Sequence, residues 1–308
     1  MSRIDETRRP VVVGEVLFDA FPDGRRVLGG APFNVAWNLQ AFGQRPLLVT
    51  RVGVDEDGDA VIAAMAEWGM ETSGVQRDGS RPTGQVRVGE AAGEPTFEIV
   101  PDQAYDVLDA ESALNTISQL NVSLLYHGSL VLRSDRSART LRAVRSRIVA
   151  PVFVDVNLRD PWWQRAAVLD IVRGSTWVKL NEAELANLSG RSLEEVATAP
   201  KAASERFRTR CGASMVIVTR GPEGAVIVDD HGAVTSRAPE SAEVIDTVGA
   251  GDAFSSIVIL GLTSGWKVES VLDRALSFAS AICSIRGATT GDRDFYSGWR
   301  GFWEGMGR

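Results

Sequence analysis

Lysine, cysteine and histidine are all scarce in this sequence. Lys179, Lys201 and Lys267 are the only lysines among 33 basic side chains, and the arginines are scattered. No basic stripe exists to follow a nucleic-acid backbone, so nucleic acid is not an expected partner. The two cysteines, Cys211 and Cys283, fall in apolar patterns without metal-ligand spacing. Both are expected to be reduced core residues, outside any disulfide. His127 and His231 are too few and too far apart for a zinc site or a Ser-His hydrolase. No apolar run approaches the length of a membrane span, and the amino-terminal MSRIDETRRP is polar with no apolar h-region. A cytoplasmic protein is therefore expected, with no membrane partner. Neither a Walker A motif nor GxGxxG is present, which speaks against a P-loop kinase and a Rossmann dehydrogenase.

What is present is an ordinary globular composition: 308 residues, 44% hydrophobic, net charge −7, enough for one large core or two unequal ones. Pro10–Asp19 (PVVVGEVLFD) reads as one buried strand, its β-branched run suiting a central parallel position. Ala31–Phe42 reads as a helix with Gly43 at its end, Pro46–Val52 as a strand, and Asp57–Trp68 as a helix. From Arg81 to Val100 the period drops to two in TGQVRVGE and PTFEIV, an antiparallel hairpin that should cover something. Helix and strand then alternate: Ala110–Leu120, Val122–Tyr126, Ser134–Val149, Val152–Val156, Ser175–Leu180 and Ser192–Arg208. SMVIVTRGPEGAVIV gives strand, turn and strand, and HGAVTSRAPE leads by an edge strand to Asp246. Glu269–Arg286 is a last helix, and the aromatic tail FYSGWRGFWEGMGR should pack on the body. Such alternation predicts a right-handed parallel α/β sheet with helices on both faces.

One stretch carries the chemistry. In DTVGAGDAF, from Asp246 to Phe254, two carboxylates and two glycines fall within seven residues, where a polar turn gives way to an apolar helical pattern. Gly249 and Gly251 let backbone approach a ligand closely, and the free amides of the helix start form an anion site. Asp252 sits in the first turn, where the helix field favours the ionised form that a general base needs. On the residues alone, the same string also reads as a closely packed helix start with an acidic cap.

The whole string resembles the carboxyl-terminal signature of the ribokinase-like (PfkB) carbohydrate kinases, and three further motifs in order resemble the same family. The resemblance implies a three-layer, doubly wound, mostly parallel sheet in a single domain spanning 1–308, with a small β-sheet lid built from about 18–29 and 81–101. GGAPFNVA, with Asp19 upstream, is similar to the fructokinase form of the sugar signature. It implies that Asp19, Gly29, Gly30 and Asn34 bind sugar hydroxyls, with Phe97 as a lid contact. RVGVDEDG is a further family feature, read as structural. DVNLRD implies that Asn157 and Arg159 face substrate or phosphate, an arginine suiting a developing anion. NEAE implies that Glu184 holds hydrated Mg²⁺, with Asn181 near the nucleotide; it also reads as a helix cap with acidic first-turn residues. Thr219, Arg220, Gly221 and Gly224 are implied for nucleotide binding, although GPEG alone is a hairpin turn. Asp246, Val248, Ala288 and Gly291 are implied around a monovalent cation such as K⁺.

The resemblance thus implies an ATP-dependent sugar kinase with Asp252 as base and Gly249, Ala250, Gly251 and Asp252 amides as the anion hole. D-fructose, giving fructose 6-phosphate, is the first-choice acceptor. 2-Keto-3-deoxygluconate, ribose or a nucleoside remain alternatives, as does a non-catalytic sugar- or nucleotide-binding regulator. An exposed apolar face on Arg81–Val100 would favour a homodimer through the lid.

Overall fold

A computed structural model of the chain describes residues 8–91, 94–239 and 244–305. The first seven residues, the Ala92–Gly93 tip of the expected hairpin, 240–243 and the last three residues of the tail lie outside them.

The chain runs β1 (Arg8–Val13), β2 (Leu17–Ala20), β3 (Arg26–Gly29), α1 (Ala31–Ala41), β4 (Leu47–Gly53), α2 (Glu56–Trp68), β5 (Val75–Asp78), β6 (Gly84–Ala91) and β7 (Glu94–Ile99). It continues through α3 (Ala110–Ile117), β8 (Asn121–His127), α4 (Asp135–Arg147), β9 (Val152–Asp155), α5 (Arg165–Val172), β10 (Trp177–Asn181), α6 (Glu182–Ser189), α7 (Leu193–Thr198) and α8 (Pro200–Cys211). Last come β11 (Met215–Thr219), β12 (Ala225–Asp229), β13 (Gly232–Ser236), α9 (Ala250–Thr263), α10 (Val268–Ile282) and α11 (Arg293–Gly305).

Among the described residues, nine strands form the main sheet in the order β13-β12-β11-β10-β9-β8-β1-β4-β5. Every pairing from β11 to β5 is parallel; β12 runs antiparallel to both its neighbours. The apolar run of β1 places it between β8 and β4, where both faces are covered. Val12 points into one core with α1, α2, α9, α10 and α11, whereas Val11 and Val13 point into the other with α3 to α8. That alternation is the period of a strand, and it makes a three-layer sandwich. The tail joins the first core as expected: Tyr296 and Trp303 are buried against Phe42 and Phe278.

Two of the sequence expectations need correction. Pro10–Asp19 is two strands in different sheets, because the chain turns at Gly14-Glu15 and β2 joins a second sheet. The helix expected over Ser192–Arg208 is two helices; Ser192 caps the first, and Pro200, which has no N–H to continue it, starts the second. The strand β5 and the helix α5 also escaped the pattern reading, both being short.

The second sheet has the order β3-β2-β6-β7, with β2 and β6 parallel and the outer pairs antiparallel. Asp55 ties it to the body: its carboxylate caps α2 at Gly58 N and accepts from both the amide and hydroxyl of Thr83, just before β6. The RVGVDEDG motif is therefore structural. On β6 and β7, Val86 and Val88 face inward with their cross-strand partners Ile99 and Phe97. Phe97 lies on that inner face yet is 56% exposed. Among the described residues of this hairpin it is the single large exposed apolar side chain, so no broad apolar face is presented.

Candidate active site

The carboxyl ends of β1, β9, β10 and β11 reach one edge of the main sheet, where open α/β sheets take their ligands. Helices α1 and α9 begin at the same edge, and they bring the two most distant motifs together. Asn34, in the first turn of α1, donates Nδ2 to Oδ2 of Asp252, in the first turn of α9, at 2.8 Å. The other amide atom, Asn34 Oδ1, is buried without a partner among the described residues. It faces Gly29: a Cβ built there would lie 3.9 Å from Asn34 Oδ1 and 3.8 Å from Asp19 Oδ2. Asp19, Gly29, Gly30 and Asn34 thus converge on a space bordered by Asp252, where Asn34 Oδ1 is free to accept a hydrogen bond.

The turn before α9 is built for close approach. Gly249 caps the helix with φ 80°, and a Cβ there would collide with Cα and Cβ of Ala288. The amides of Gly249, Ala250, Gly251 and Asp252 therefore open the helix with no intrahelical acceptor for most of them. Asp246 holds the turn against the next loop: Oδ1 accepts from Val248 N and Oδ2 from Gly287 N, each at 3.0 Å. Asp246, Val248 and Ala288 are therefore neighbours, whereas Gly291 lies further along that loop, exposed.

Electrostatics distinguish these carboxyls from surface ones. Burial pushes Asp252 up to about 6, the Asn34 hydrogen bond works against that, Asp155 adds to it, and Lys179 and Arg159 offset part. Asp19 is also raised to about 6 by burial, against the pull of Arg159. Glu15 is raised to about 7 by burial, offset by its own backbone amide and by Arg159. Arg159 is thus a shared positive neighbour of all three, although its side chain is exposed.

The loop that carries Arg159 is held by NEAE. Glu184 caps α6 reciprocally with Asn181: its Oε2 accepts from Asn181 N at 2.8 Å, and Asn181 Oδ1 accepts from Glu184 N at 2.9 Å. Its Oε1 accepts from Leu158 N at 2.8 Å, next to Asn157, whose φ of 42° is left-handed. Each carboxylate oxygen keeps a second lone pair for water, which suits a hydrated Mg²⁺ rather than a direct ligand. Thr219 is the strand partner of Asn181, and Arg220 donates Nε to Glu182 Oε1 at 2.8 Å. Gly221 is exposed beside them. Gly224 is instead buried against the Ser236 backbone, closing the β11–β12 turn.

Sequence reasoning passed over a second buried cluster. Lys179 Nζ donates to both oxygens of Asp155 at 3.0 Å, and Asp155 also accepts from Ser255 Oγ at 2.7 Å and the Tyr126 hydroxyl at 3.4 Å. A signal existed: in VFVD and WVKL a charge interrupts a buried strand, and a buried charge needs a partner. Asp155 and Lys179 are register partners in adjacent strands. Glu15 was legible in the same way, as the acidic residue after a run of valines.

Comparison with known proteins identifies the family and the fold. The family model described as "pfkB family carbohydrate kinase" matches residues 11–294. Fructokinase-1 of Oryza sativa is 29% identical over 297 residues, which cover 92% of this chain and 88% of that protein. The crystal structure of a Vibrio cholerae fructokinase double mutant in a fructose-, ADP- and potassium-bound form superposes with a TM-score of 0.76 at 23% identity, covering 95% of this chain and 98% of that one. A 2-dehydro-3-deoxygluconokinase from Thermotoga maritima reaches a TM-score of 0.81 at 18% identity, covering 94% and 98%. With its motifs converging at one sheet edge and the family match running nearly end to end, the chain belongs to the pfkB family of carbohydrate kinases, phosphotransferases that act on a sugar hydroxyl.

Proposed function

We propose that the protein transfers the γ-phosphoryl group of ATP to a primary hydroxyl of D-fructose, giving fructose 6-phosphate and ADP. The observation that carries the kinase mechanism is the Asn34–Asp252 hydrogen bond at the mouth of the Gly249–Asp252 amides. Asp252 accepts the hydroxyl proton as the sugar oxygen bonds to the γ-phosphorus and the bond to the β-phosphate oxygen breaks. The amides of Gly249, Ala250, Gly251 and Asp252 receive the phosphoryl oxygens, and Arg159 adds positive charge. Asp19, Asn34 and the Gly29-Gly30 backbone hold sugar hydroxyls; Asn157 borders them, and Phe97 closes over them from the lid.

On the nucleotide side, Asn181, Thr219, Arg220 and Gly221 line the ATP site. Glu184 would hold Mg²⁺ through water, and the ion would supply charge neutralisation for the phosphates. Asp246, Val248, Ala288 and Gly291 offer oxygen donors suited to K⁺. A cation there would steady the turn that presents the amides.

Fructose is favoured by the fructokinase relatives and by charge. Asp19, Asp252 and the buried Glu15 crowd the acceptor side with carboxyls, against one arginine, Arg159, that has no ion-pair partner among the described residues; Arg133 is already spent on Asp106. That balance supports an uncharged sugar over a sugar acid such as 2-keto-3-deoxygluconate. The test is ADP formation with Mg²⁺ and K⁺ across fructose, 2-keto-3-deoxygluconate, ribose and nucleosides. Highest kcat/KM with fructose supports the reading. A preference for the sugar acid would sink the charge argument and the substrate, and silence across the panel with ATP still bound would sink the mechanism.

A further inference from the structure

The ammonium of Lys179 lies at the floor of the proposed anion hole. A Cβ built on Gly251 would sit 3.1 Å from Lys179 Nζ, so the glycine leaves room for the ammonium as well as for a ligand. Two of its three N–H bonds go to Asp155, and the third has no partner among the described residues. Asp155 does not need all of that lysine: it is also supplied by Ser255 and Tyr126. The lysine side chain stays 9% exposed where Asp155 is 1% exposed, so it is the half of the pair nearer the open edge. Burial works against its charge, but Asp155, and then Glu184 and Asp252, more than compensate and hold it cationic.

We propose that Lys179 is a catalytic residue of the phosphoryl transfer: its free N–H contacts an oxygen of the terminal phosphoryl group of a nucleoside triphosphate lying on the Gly249–Asp252 amides. This rests on the kinase reading. The strongly acidic chain then supplies, from beneath the helix start, a fixed positive charge where negative charge is transferred. Ser255 and Tyr126 act one step back, by holding Asp155 and hence the ammonium.

The scarcity of lysine makes a direct test available on the native protein. Lys201 and Lys267 are both exposed, so Lys201→Arg and Lys267→Arg assign the Lys179 signal in a lysine-labelled NMR spectrum. That signal is expected to shift when a non-hydrolysable ATP analogue binds with Mg²⁺, and to stay in place with AMP. In parallel, the double variant Lys179→Met with Asp155→Asn removes both buried charges together and leaves neither uncompensated. It is expected to keep its melting midpoint and its KM for the sugar, and to lose about a hundredfold in kcat. The acidic limb of its activity should not move to higher pH, since Asp155, which raises Asp252, is lost together with Lys179, which lowers it. A Lys179 signal blind to the bound analogue, or a folded double variant with kcat within about threefold of wild type, overturns the assignment while the kinase reading stands. Wild-type protein that neither binds nor turns over Mg·ATP overturns both.

Discussion

Asn34 and Asp252 stand 218 residues apart in sequence and share a hydrogen bond of 2.8 Å. The contact joins a motif expected to hold the sugar to the motif expected to hold the base, so one amide has two duties. Its Nδ2 favours the ionised carboxylate, and its buried Oδ1 is left for a donor. In Asn34→Ala the carboxylate loses the interaction that draws its pKa down from the value burial would impose. The acidic limb of kcat/KM should therefore move up from about pH 6, and activity measured at pH 6 should fall by a larger factor than at pH 8. An equal loss at both pH values would leave Asn34 with the sugar alone.

Asp252→Asn separates chemistry from stability. Turnover is expected to drop about a hundredfold or more, as for loss of a general base. Stability should move the other way. The folded carboxyl titrates near 6, above an unfolded aspartate at about 3.9, so ionising it costs stability as pH rises across that window. The variant escapes that cost, up to about 3 kcal/mol. It should melt above wild type at pH 8, with the difference gone by about pH 4.

Gly249→Ala should be harmful for two reasons at once. Its φ of 80° costs a non-glycine residue about 1–2 kcal/mol. The added methyl also collides with Ala288. A fall in melting temperature of roughly 5 °C or more is expected in calorimetry, together with lost turnover. A variant that melts with the wild type would mean that the turn relaxes freely.

Trp303→Ala tests the tail. The indole is buried against Phe42, Phe278 and Trp266 and touches none of the candidate site residues. Loss of about 3–5 kcal/mol is expected in denaturant unfolding. The kcat per folded molecule should be unchanged.

The layered sheet and its order of strands and helices follow from periodicity, because a strand covered on both faces must be apolar throughout and its flanking helices must carry one apolar stripe. Gly14-Glu15 broke that logic. VVVGEVLF is apolar on either side of the turn, so composition alone cannot tell one strand from two that part into different sheets. Pro200 was readable in principle, as a residue that starts helices and does not continue them. The candidate base, amide turn and sugar-facing residues were proposed from motifs that are contiguous in sequence. The pairing of Lys179 with Asp155 was not, because Lys179 is a single charge in its own strand and only the parallel register of β9 and β10 brings the two together.

One face of the main sheet is covered by α1 and α2 from the start of the chain and by α9, α10 and α11 from its end. The opposite face is assembled from the helices between. During synthesis the middle helices can therefore dock as soon as they emerge, whereas Phe33, Leu39 and Met65 must wait for the last segment before water leaves them. Asp252 arrives in that same segment. With Asp252 in its proposed role, a growing chain is catalytically silent for as long as it is sticky, and its first turnover coincides with the closing of its last exposed apolar surface.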